Sequence, residues 1–402
     1  MATAIGQHRN TVTATLDAEN HSVEIKQDFV YYNESAVGLN SLYFNDWNHA
    51  YSSKKTALTK RFGEEFNKSL HLAKEKNRGR TRIVSIVDDA YGGLEWERTE
   101  ALDILKVDLQ EPLAAGDTIT LHFTYTIELP SSRYTGYGHG YKGGYNLKDW
   151  YLTPALFDGT WHLYSNKNLD DLSTDITNTE IKLQFPKGLH LATNFKTIAV
   201  TDFSVGNYAS LSGTNRKNAH VILTPEKRFT THVTESMTVV TDLESSKYDG
   251  ISQGLSIDRV LRFMKEKLGA YPHENLLVSE FDYNRNPLFG SIQVPNFIRP
   301  YSEQFQFEMK FLKTALSHFV KESLFLNERK ERWVNDAIVN YLLIVYVNEK
   351  YPGQKWTGKL SRLWGFRPYT LAKMDFNEQY YLLQMAAVRR NDHQALSTPN
   401  DS

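Results

Sequence analysis

A histidine and two carboxylates lie at spacings that suit a divalent metal ion. His318 and Glu322 are four residues apart in a stretch predicted to be helical, so their side chains share one face of the helix. Asp336, on the next predicted helix, offers a third oxygen ligand. The same spacing is also typical of an ordinary pair on a helix surface, and two ligands alone do not make a site. Both interpretations stay open at this point.

The chain contains no cysteine among its 402 residues. Disulfides, iron–sulfur clusters, thiolate zinc sites and cysteine nucleophiles are therefore excluded, which leaves His, Asp and Glu as the strong metal ligands. Serine hydrolysis has no local support either, because the sequence lacks the G-x-S-x-G turn that exposes the nucleophile in many hydrolases.

A segment from Tyr134 to Tyr145 combines five glycines with four tyrosines and has His139 at its centre. Glycines allow aromatic rings to approach a sugar or a peptide closely, so the segment is a candidate for ligand binding. The alternative is a connection whose tyrosines lie against a neighbouring surface. The strand–loop–helix context of a phosphate-binding loop is missing here.

Two kinds of periodicity divide the chain near residue 243. Before it, short segments alternate apolar and polar residues between turn signals, which indicates antiparallel strands. Strands are expected at 23–31, 104–109, 119–129, 181–185 and 232–241, with a hairpin joining 104–109 to 119–129. The pattern predicts an antiparallel β domain, sandwich-like, over residues 1–243.

After residue 243 the apolar residues recur with a helical period. Helices are expected at 256–268, with Ser256 as the N-cap and Gly269 as the stop, and then at 303–326 and 334–350. Strands followed by helices indicate segregated elements rather than a βαβ repeat. The sequence therefore predicts an α+β chain whose second domain, residues 244–402, is mainly helical.

The charge balance argues against two classes of partner. Lys and Arg number 46 and Asp and Glu 47, so the net charge of -1 gives no general attraction to nucleic acid or to an anionic membrane. The longest apolar stretch, Leu342 to Val347, is too short to span a bilayer, and the first ten residues contain no apolar signal segment. We expect no nucleic-acid partner and no membrane span.

The stretch from Phe263 to Asn296 resembles the entry to the catalytic domain of the membrane alanyl aminopeptidase family of zinc metallopeptidases, the gluzincins. In that family a helix, a G-x-Y-P turn and a strand lead to a G-A-M-E-N motif, followed by H-E-x-x-H on one helix and W-L-N-E-G on the next. This chain has T-A-L-S-H, ending at His318, and W-V-N-D-A, beginning at Trp333, in those places. More narrowly, it resembles gluzincin-like proteins of Bacteroidota in which these motifs are degenerate.

The resemblance covers most of the chain and implies its architecture. The β-rich half is similar to the saddle domain of the family, and the helical half to its thermolysin-like domain, which is C-terminally incomplete here because the sequence ends before the family's later helices. Trp333 is then expected to open a helix and to pack into the core. The resemblance also implies an exported protein of the periplasm or cell envelope.

Compared position by position with the family, the zinc site is degenerate. Thr314 stands where the first zinc-binding His belongs, and Ala315 where the general-base Glu belongs. His318 and Asp336 keep two of the three ligand positions, as a vestigial pair. The resemblance therefore implies that both the Lewis acid and the nucleophile it generates are lost.

Two further positions of the family's site differ as well. Gln293 replaces the Glu that holds the substrate's amino group, within the stretch that corresponds to G-A-M-E-N. Phe376 corresponds to a tyrosine that stabilises the oxyanion, although Tyr380 or Tyr381 matches with a small shift in register.

Three hypotheses for function follow from these residues. The leading one is a pseudo-peptidase, which binds a peptide or protein without zinc hydrolysis and needs no cofactor. The alternative is an active zinc aminopeptidase with a rearranged site, for which zinc would be the cofactor. A third is a structural or assembly component in which the β domain is the working part.

Overall fold

The computed structural model describes residues 7–167, 171–204, 206–244, 248–288, 300–365 and 368–390. The chain divides into two compact units, Met1–Arg228 and Phe229–Ser402. The predicted α+β class is confirmed, with a large, mostly antiparallel sheet in the first unit and most of the helices in the second. The units divide before residue 243 because the strands between 230 and 241 pair within the second unit.

In its described residues the first unit is built almost entirely of strands. Its one α-helix is α1 (Ala57–Glu64), and two short 3-10 helices cover Trp47–Tyr51 and Glu75–Asn77. The strands are β1 (His8–Asp17), β2 (Ser22–Tyr32), β3 (Leu39–Asn45), β4 (Arg80–Asp88), β5 (Gly92–Gly93), β6 (Trp96–Arg98), β7 (Ile104–Leu113), β8 (Thr118–Glu128), β9 (Gly138–Tyr141), β10 (Gly144–Lys148), β11 (Thr153–Pro154), β12 (Leu156–Phe157), β13 (Trp161–His162), β14 (Thr177–Phe185), β15 (His190–Thr193), β16 (Lys196–Phe203), β17 (Gly206–Arg216) and β18 (His220–Thr224).

Eight of these strands form one sheet in the order β16-β17-β14-β1-β2-β8-β4-β5. β1 lies near its middle, antiparallel to β2 and parallel to β14. Two four-stranded sheets, β15-β18-β10-β9 and β11-β3-β7-β6, and the pair β12-β13 complete the unit. The predicted hairpin between 104–109 and 119–129 is wrong, because β7 pairs with β3 and β6 whereas β8 pairs with β2 and β4.

Strand β2 shows how the alternating pattern builds this sheet. Every second residue from Val23 to Tyr31 is buried, and the residues between them are exposed or half-buried. The buried polar member is Gln27, whose Nε2 donates to Asn10 Oδ1 at 3.0 Å and whose Oε1 accepts from the Tyr125 hydroxyl at 2.6 Å. The core therefore buries this amide only with its hydrogen bonds satisfied.

The segment of glycines and tyrosines forms β9 and the start of β10. A Cβ on Gly138 would lie 1.9 Å from the carbonyl oxygen of Pro130, and the backbone of Gly138 has a φ of +106°. Tyr137 and Tyr145 are buried in the core of the first unit. These glycines permit close backbone packing, and two of the four tyrosines of the segment are held in the core of the first unit.

The second unit combines a small sheet with helices. Its strands are β19 (Thr230–Val233), β20 (Thr238–Thr241) and β21 (Asn275–Val278), with β20 antiparallel to β19 and parallel to β21. The helices are α2 (Gly250–Leu268), α3 (Glu280–Arg285), α4 (Glu303–Leu324), α5 (Glu328–Lys350), α6 (Thr370–Lys373) and α7 (Glu378–Arg390), with a 3-10 helix at Gly358–Arg362. In the described part of the chain, no helix combines the length and apolarity that crossing a bilayer requires.

Helix α4 is the central helix of this unit and packs against both α2 and α5. α2 begins earlier than predicted, since its N-cap is Asp249, which accepts the Ser252 N–H at 3.0 Å. Ser256 is buried inside α2 instead of capping it. α2 ends at Gly269 as expected, where φ is +87°.

Trp333 does not pack into the core as predicted, because 44% of its surface is exposed. α5 begins at Glu328 behind the N-cap Asn327, so Trp333 lies in the second turn rather than at the helix start. The buried stripe of α5 is set by Val339, Leu343 and Tyr346, and Trp333 falls off that stripe. The aromatic residue therefore contributes little to the core.

Candidate functional site

Three of the motif positions that the resemblance assigned, Thr314, Ala315 and His318, lie on α4. Thr314 and Ala315 are buried, with exposed fractions of 5% and 0%. The Thr314 hydroxyl donates to the carbonyl oxygen of Lys310, one turn earlier in the same helix, at 3.0 Å. Ala315 belongs to the hydrophobic core of the second unit. Neither position presents a group that binds a metal or accepts a proton from water.

His318 lies one turn further along α4 and is close to a carboxylate. Its Nε2 is 3.4 Å from Oδ2 of Asp282, and the two side chains are 25% and 8% exposed. The same Asp282 oxygen accepts the Ser279 hydroxyl at 2.6 Å, at the N-terminus of α3. His318 is therefore positioned against α3 by an imidazole–carboxylate contact that the sequence did not reveal.

Asp336 lies on α5 and is 40% exposed. Its Oδ2 is 3.6 Å from Nε of Arg332, one turn earlier. The adjacent Asn335 donates from Nδ2 to the Ser317 hydroxyl at 3.3 Å, which joins α5 to α4. The helices that carry His318 and Asp336 therefore pack side by side, as predicted, but His318 contacts Asp282 and Asp336 contacts Arg332 instead of each other.

A buried lysine adds positive charge to this region. Lys313 Nζ donates to Asn286 Oδ1 and to the carbonyl oxygen of Pro287, both at 2.9 Å. Burial lowers the pKa of Lys313 to about 8; the negative charge of Asp336 opposes this change and the positive charge of Arg332 adds to it. Asp336 thus lies near two protein cations, Arg332 and Lys313, while its side chain stays partly exposed.

The residues at the motif positions do not fit a zinc ion. Zinc sites in proteins use three or four His, Cys, Asp or Glu ligands. Thr314 already uses its hydroxyl within α4, and Ala315 has no donor atom. In the ranges described, no three His, Asp or Glu side chains gather in a way that would hold a metal ion.

Glu322 also has a partner other than the one that its spacing suggested. Its Oε2 lies 3.1 Å from Nε2 of His273, in the segment before β21. The side chains of His273 and Glu322 are 8% and 16% exposed. The structure pairs Glu322 with His273 and pairs His318 with Asp282, so the shared metal site of His318 and Glu322 is not assembled.

The remaining predicted site residues are Gln293, Phe376 and the two tyrosines after it, Tyr380 and Tyr381. Gln293 falls outside the described residues. Phe376 is 1% exposed, and its ring packs edge-on against Phe305 with centroids 5.1 Å apart. Tyr381 is 65% exposed, whereas burial raises the pKa of Tyr380 to about 12, and its hydroxyl has no hydrogen-bond partner within the described part of the chain. Phe376 is therefore a core residue.

Sequence reasoning missed Glu308, which lies nearly two turns before Thr314 on α4. Its side chain is fully buried and accepts hydrogen bonds from five donors. The donors are Ser256 Oγ (2.7 Å), Arg259 Nη1 (3.2 Å) and Gln304 Nε2 (3.0 Å) on one oxygen, and the hydroxyls of Tyr346 and Tyr351 (both 2.6 Å) on the other. The signal in the sequence was a single acid inside the aromatic run F-Q-F-E-M-K-F.

The five donors explain why a carboxylate is tolerated at this position. Burial and the bond to Glu308 raise the pKa of both Tyr346 and Tyr351, which keeps their hydroxyls protonated as donors. Together the donors come from α2, α4, α5 and the residue after α5. Glu308 therefore joins the helices of the second unit around α4.

A cavity of about 470 Å³ lies elsewhere in the second unit. It is lined by Val233 and Met237 around the β19–β20 turn, by Asp258 and Lys265 on α2, and by Phe319 on α4. None of the described motif positions lines it. The cavity is therefore distinct from the described motif positions.

No protein-family model and no curated protein sequence matches this chain. Its fold is similar to that of an M1 zinc metallopeptidase from Deinococcus radiodurans, with 12% identity and a TM-score of 0.52 over 86% of this chain and 70% of that one. A mutant of that enzyme gives a TM-score of 0.53 over 97% and 83%, and a mutant bound to a Tyr-Ser-Ala substrate gives 0.50 over 86% and 72%, both at 12% identity. The chain thus has the aminopeptidase-like metallopeptidase fold.

Proposed function

We propose that this chain is a pseudo-peptidase, a peptide- or protein-binding module built on the M1 metallopeptidase fold that does not hydrolyse peptides through zinc. The observation that carries the proposal is the chemistry of Thr314 and Ala315. One is a hydroxyl bonded within its own helix and the other a methyl group buried in the core. Neither can bind zinc or activate water.

The magnitudes of the losses support a noncatalytic function over a slow enzyme. Removing a general base or one oxyanion donor lowers a rate by about 10²- to 10⁴-fold and leaves measurable activity. Removing a zinc ligand together with the base also takes away the ion that polarises the carbonyl and generates the nucleophile. The combined loss leaves no route through metal-bound water.

Two polar side chains offer contacts for a bound peptide near these positions. Asp336 is 40% exposed and carries a carboxylate that suits a free amino terminus. His318 is 25% exposed and offers an imidazole for a peptide carbonyl or amide. A fold neighbour was solved with the Tyr-Ser-Ala peptide, which makes short peptides with a free amino terminus the first probes to use.

The proposal is tested by metal content, hydrolysis and peptide binding on the same preparation. After dialysis against zinc and then against buffer, we expect far less than one zinc per chain and no chelator-sensitive cleavage of amino-acid anilides. Fluorescently labelled tripeptides, Tyr-Ser-Ala among them, should bind equally well with and without chelator. Stoichiometric zinc with chelator-sensitive turnover would overturn the proposal, as would the failure of every tripeptide to bind.

A matched pair of variants on α5 locates the binding. Asp336→Ala should weaken the binding of tripeptides with a free amino terminus, and acetylating that terminus should weaken binding to the parent chain in the same way. Glu349→Ala removes another exposed carboxylate from the same helix and should leave binding unchanged. Equal effects of the two variants would show that the peptide does not contact the degenerate site.

The alternative, an active zinc aminopeptidase with a rearranged site, is favoured by one observation. Two imidazole–carboxylate pairs, His318 with Asp282 and His273 with Glu322, both involve α4. Such a site would lose its zinc and its activity in His273→Ala and in His318→Ala. A parent chain with neither zinc nor activity excludes this alternative.

A further inference from the structure

The cavity of the second unit has an apolar floor. Its floor is made of buried side chains from α2, α4, β21 and the segment before β21, namely Leu261, Met264, Tyr271, Leu276 and Phe319. Val233, at the mouth, is 78% exposed and extends the apolar surface outward. A concave site of about 470 Å³ lies in the size range that holds small ligands. The floor therefore suits the apolar side chains of a small molecule.

Four charged side chains, two of each sign, surround this floor. Asp258, Arg262 and Lys265 come from α2, and Glu235 comes from the turn between β19 and β20. All four residues are exposed. Within the described ranges, none of the four side chains takes part in an ion pair or a hydrogen bond, although Asp258 and Arg262 are four residues apart on one helix. The cavity thus offers both signs of charge to a ligand.

The three charges on α2 lie along one side of the helix, since spacings of three and four residues return to the same face. At a rise of about 1.5 Å per residue, Asp258 lies about 6 Å along the axis from Arg262 and about 10 Å from Lys265. A free amino acid carries its ammonium and carboxylate on one carbon atom, whereas an extended dipeptide separates them by up to about 7 Å. The spacing therefore favours a dipeptide over a single amino acid.

The charges also give such a peptide an orientation. Its ammonium group is complementary to Asp258 and Glu235, and its carboxylate is complementary to Arg262 and Lys265. Hydrogen bonds between ionised groups are about twice as strong as neutral ones. Between the two ends, apolar side chains of the peptide would cover the floor, where Met264 can adapt to side chains of different shape.

We propose that this cavity binds a zwitterionic dipeptide with apolar side chains. The site shares no residue with the one proposed around Asp336 and His318. Binding at one site does not require binding at the other, so each can fail on its own.

Methionine methyl signals in an NMR spectrum locate the bound dipeptide. The chain has only six methionines, and two of them, Met237 and Met264, line the cavity. In the full chain with isotope-labelled methionine methyl groups, adding the dipeptide Leu-Phe should shift both signals. The signal of Met309, which is buried in α4 and does not line the cavity, should not move. If millimolar Leu-Phe shifts neither cavity signal, the proposal is overturned.

Blocked peptides test the two charged ends. N-acetyl-Leu-Phe and Leu-Phe amide should each bind about fivefold more weakly than Leu-Phe, the change expected for the loss of one exposed ion pair. Free leucine and free phenylalanine should also bind more weakly than Leu-Phe. Equal binding of all five compounds would mean that the cavity accepts any apolar molecule, which contradicts the proposal.

Charge reversal at the cavity tests the orientation. Arg262→Glu should weaken the binding of Leu-Phe but not of Leu-Phe amide, which has no carboxylate. Asp258→Lys should weaken the binding of Leu-Phe but not of N-acetyl-Leu-Phe, which has no ammonium group. Lys350→Glu, at an exposed position of α5 outside the cavity, and Asp336→Ala should leave the shifts of the cavity methionines unchanged. Arg262→Glu and Asp258→Lys variants that bind Leu-Phe like the parent would overturn the proposal.

Filling the cavity tests the site without a change of charge. Ala270 lines the cavity and is exposed, so Ala270→Trp adds an indole there without altering a core position. This variant should lose the shifts that Leu-Phe causes. Ala115→Trp, at an exposed position of the first unit, is the matched control and should keep them. Equal binding by the two variants would place the dipeptide elsewhere and overturn the proposal.

Discussion

The two halves of α4 differ in the contacts that their polar side chains make with the rest of the second unit. In the first half, Glu308 is fully buried and accepts five hydrogen bonds, four of them from outside α4. In the second half, Thr314 bonds only within its own helix, and His318 contacts a single carboxylate at 3.4 Å. The helix is therefore held in place by Glu308, by the contact of Glu322 with His273 and by apolar packing.

The largest loss of stability should come from removing the hydrogen bonds of Glu308 in the first half of α4. Glu308→Ala leaves five buried or partly buried donors without an acceptor, and we expect the free energy of unfolding to fall by about 3–5 kcal/mol. Chemical denaturation measures it. Glu266→Ala, which removes an exposed carboxylate from α2, is the control and should leave the free energy of unfolding almost unchanged. Similar costs for the two would show that Glu308 does not organise the unit.

The second half can be tested by restoring the family motif. Thr314→His with Ala315→Glu recreates H-E-x-x-H, and this double variant should gain zinc that the parent lacks. Because Ala315 is fully buried in the core, the new carboxylate should also destabilise the protein without metal by about 2–4 kcal/mol. Zinc content after dialysis and unfolding with and without zinc give the two results.

Thr314→His alone is the control for that restoration, because it adds the ligand without burying a carboxylate. It should be more stable than the double variant. A double variant as stable as the parent in the absence of zinc would mean that position 315 opens to solvent, which contradicts the packing described for α4.

Lys313, between the two halves, should make stability depend on alkaline pH. Its pKa is about 8 in the folded chain and returns to the ordinary 10.5 on unfolding, so the unfolded state binds more protons between these values. Stability should therefore rise as pH increases from about 8 to 10.5, by at most about 3 kcal/mol. Lys313→Met should remove this rise.

The measurement for Lys313 is the difference between parent and variant unfolding curves across that pH range, since tyrosines also titrate there. Lys350→Met, at an exposed position of α5, should keep the rise of the parent. If the stability difference between parent and variant does not change with pH for either variant, Lys313 is solvated and its pKa is not lowered.

The smallest effect is expected at Trp333. Because 44% of its surface is exposed, Trp333→Ala should reduce the free energy of unfolding by no more than about 1 kcal/mol. Leu343→Ala, on the buried stripe of the same helix, should cost about 2–5 kcal/mol. A larger loss of stability in Trp333→Ala than in Leu343→Ala would show that Trp333 does pack into the core, as first predicted.

The sequence predicted the positions of the strands better than it predicted which strands pair with each other. Alternation located β2 and β14 to within a few residues, because one buried face imposes a period of two. It placed β7 and β8 in one hairpin, since a short turn joins them, whereas the structure sends them to different sheets. Pairing depends on residues far apart in the chain, which local periodicity does not record.

For the candidate site, the sequence proposed positions but could not show their surroundings. Thr314 and Ala315 are read directly from the sequence, and α4 lies where the helical period placed it. The contacts of His318 with Asp282 and of Glu308 with its donors join segments 36 or more residues apart or lie hidden among apolar residues, so no local pattern indicated them. The burial of Ala315 likewise depends on packing against other helices, which no local pattern indicates.

The place of β1 in the large sheet determines when the first unit can fold during synthesis. His8, at the start of β1, pairs with Thr177, so β1 and β14 meet only after the chain as far as β14 has been translated. Contacts this distant in the chain slow folding, and until β14 emerges from the ribosome β1 presents an unpaired edge in the nascent chain. A chain interrupted before β14 should therefore depend on chaperones, or aggregate, although it contains β1, β2 and β8 complete.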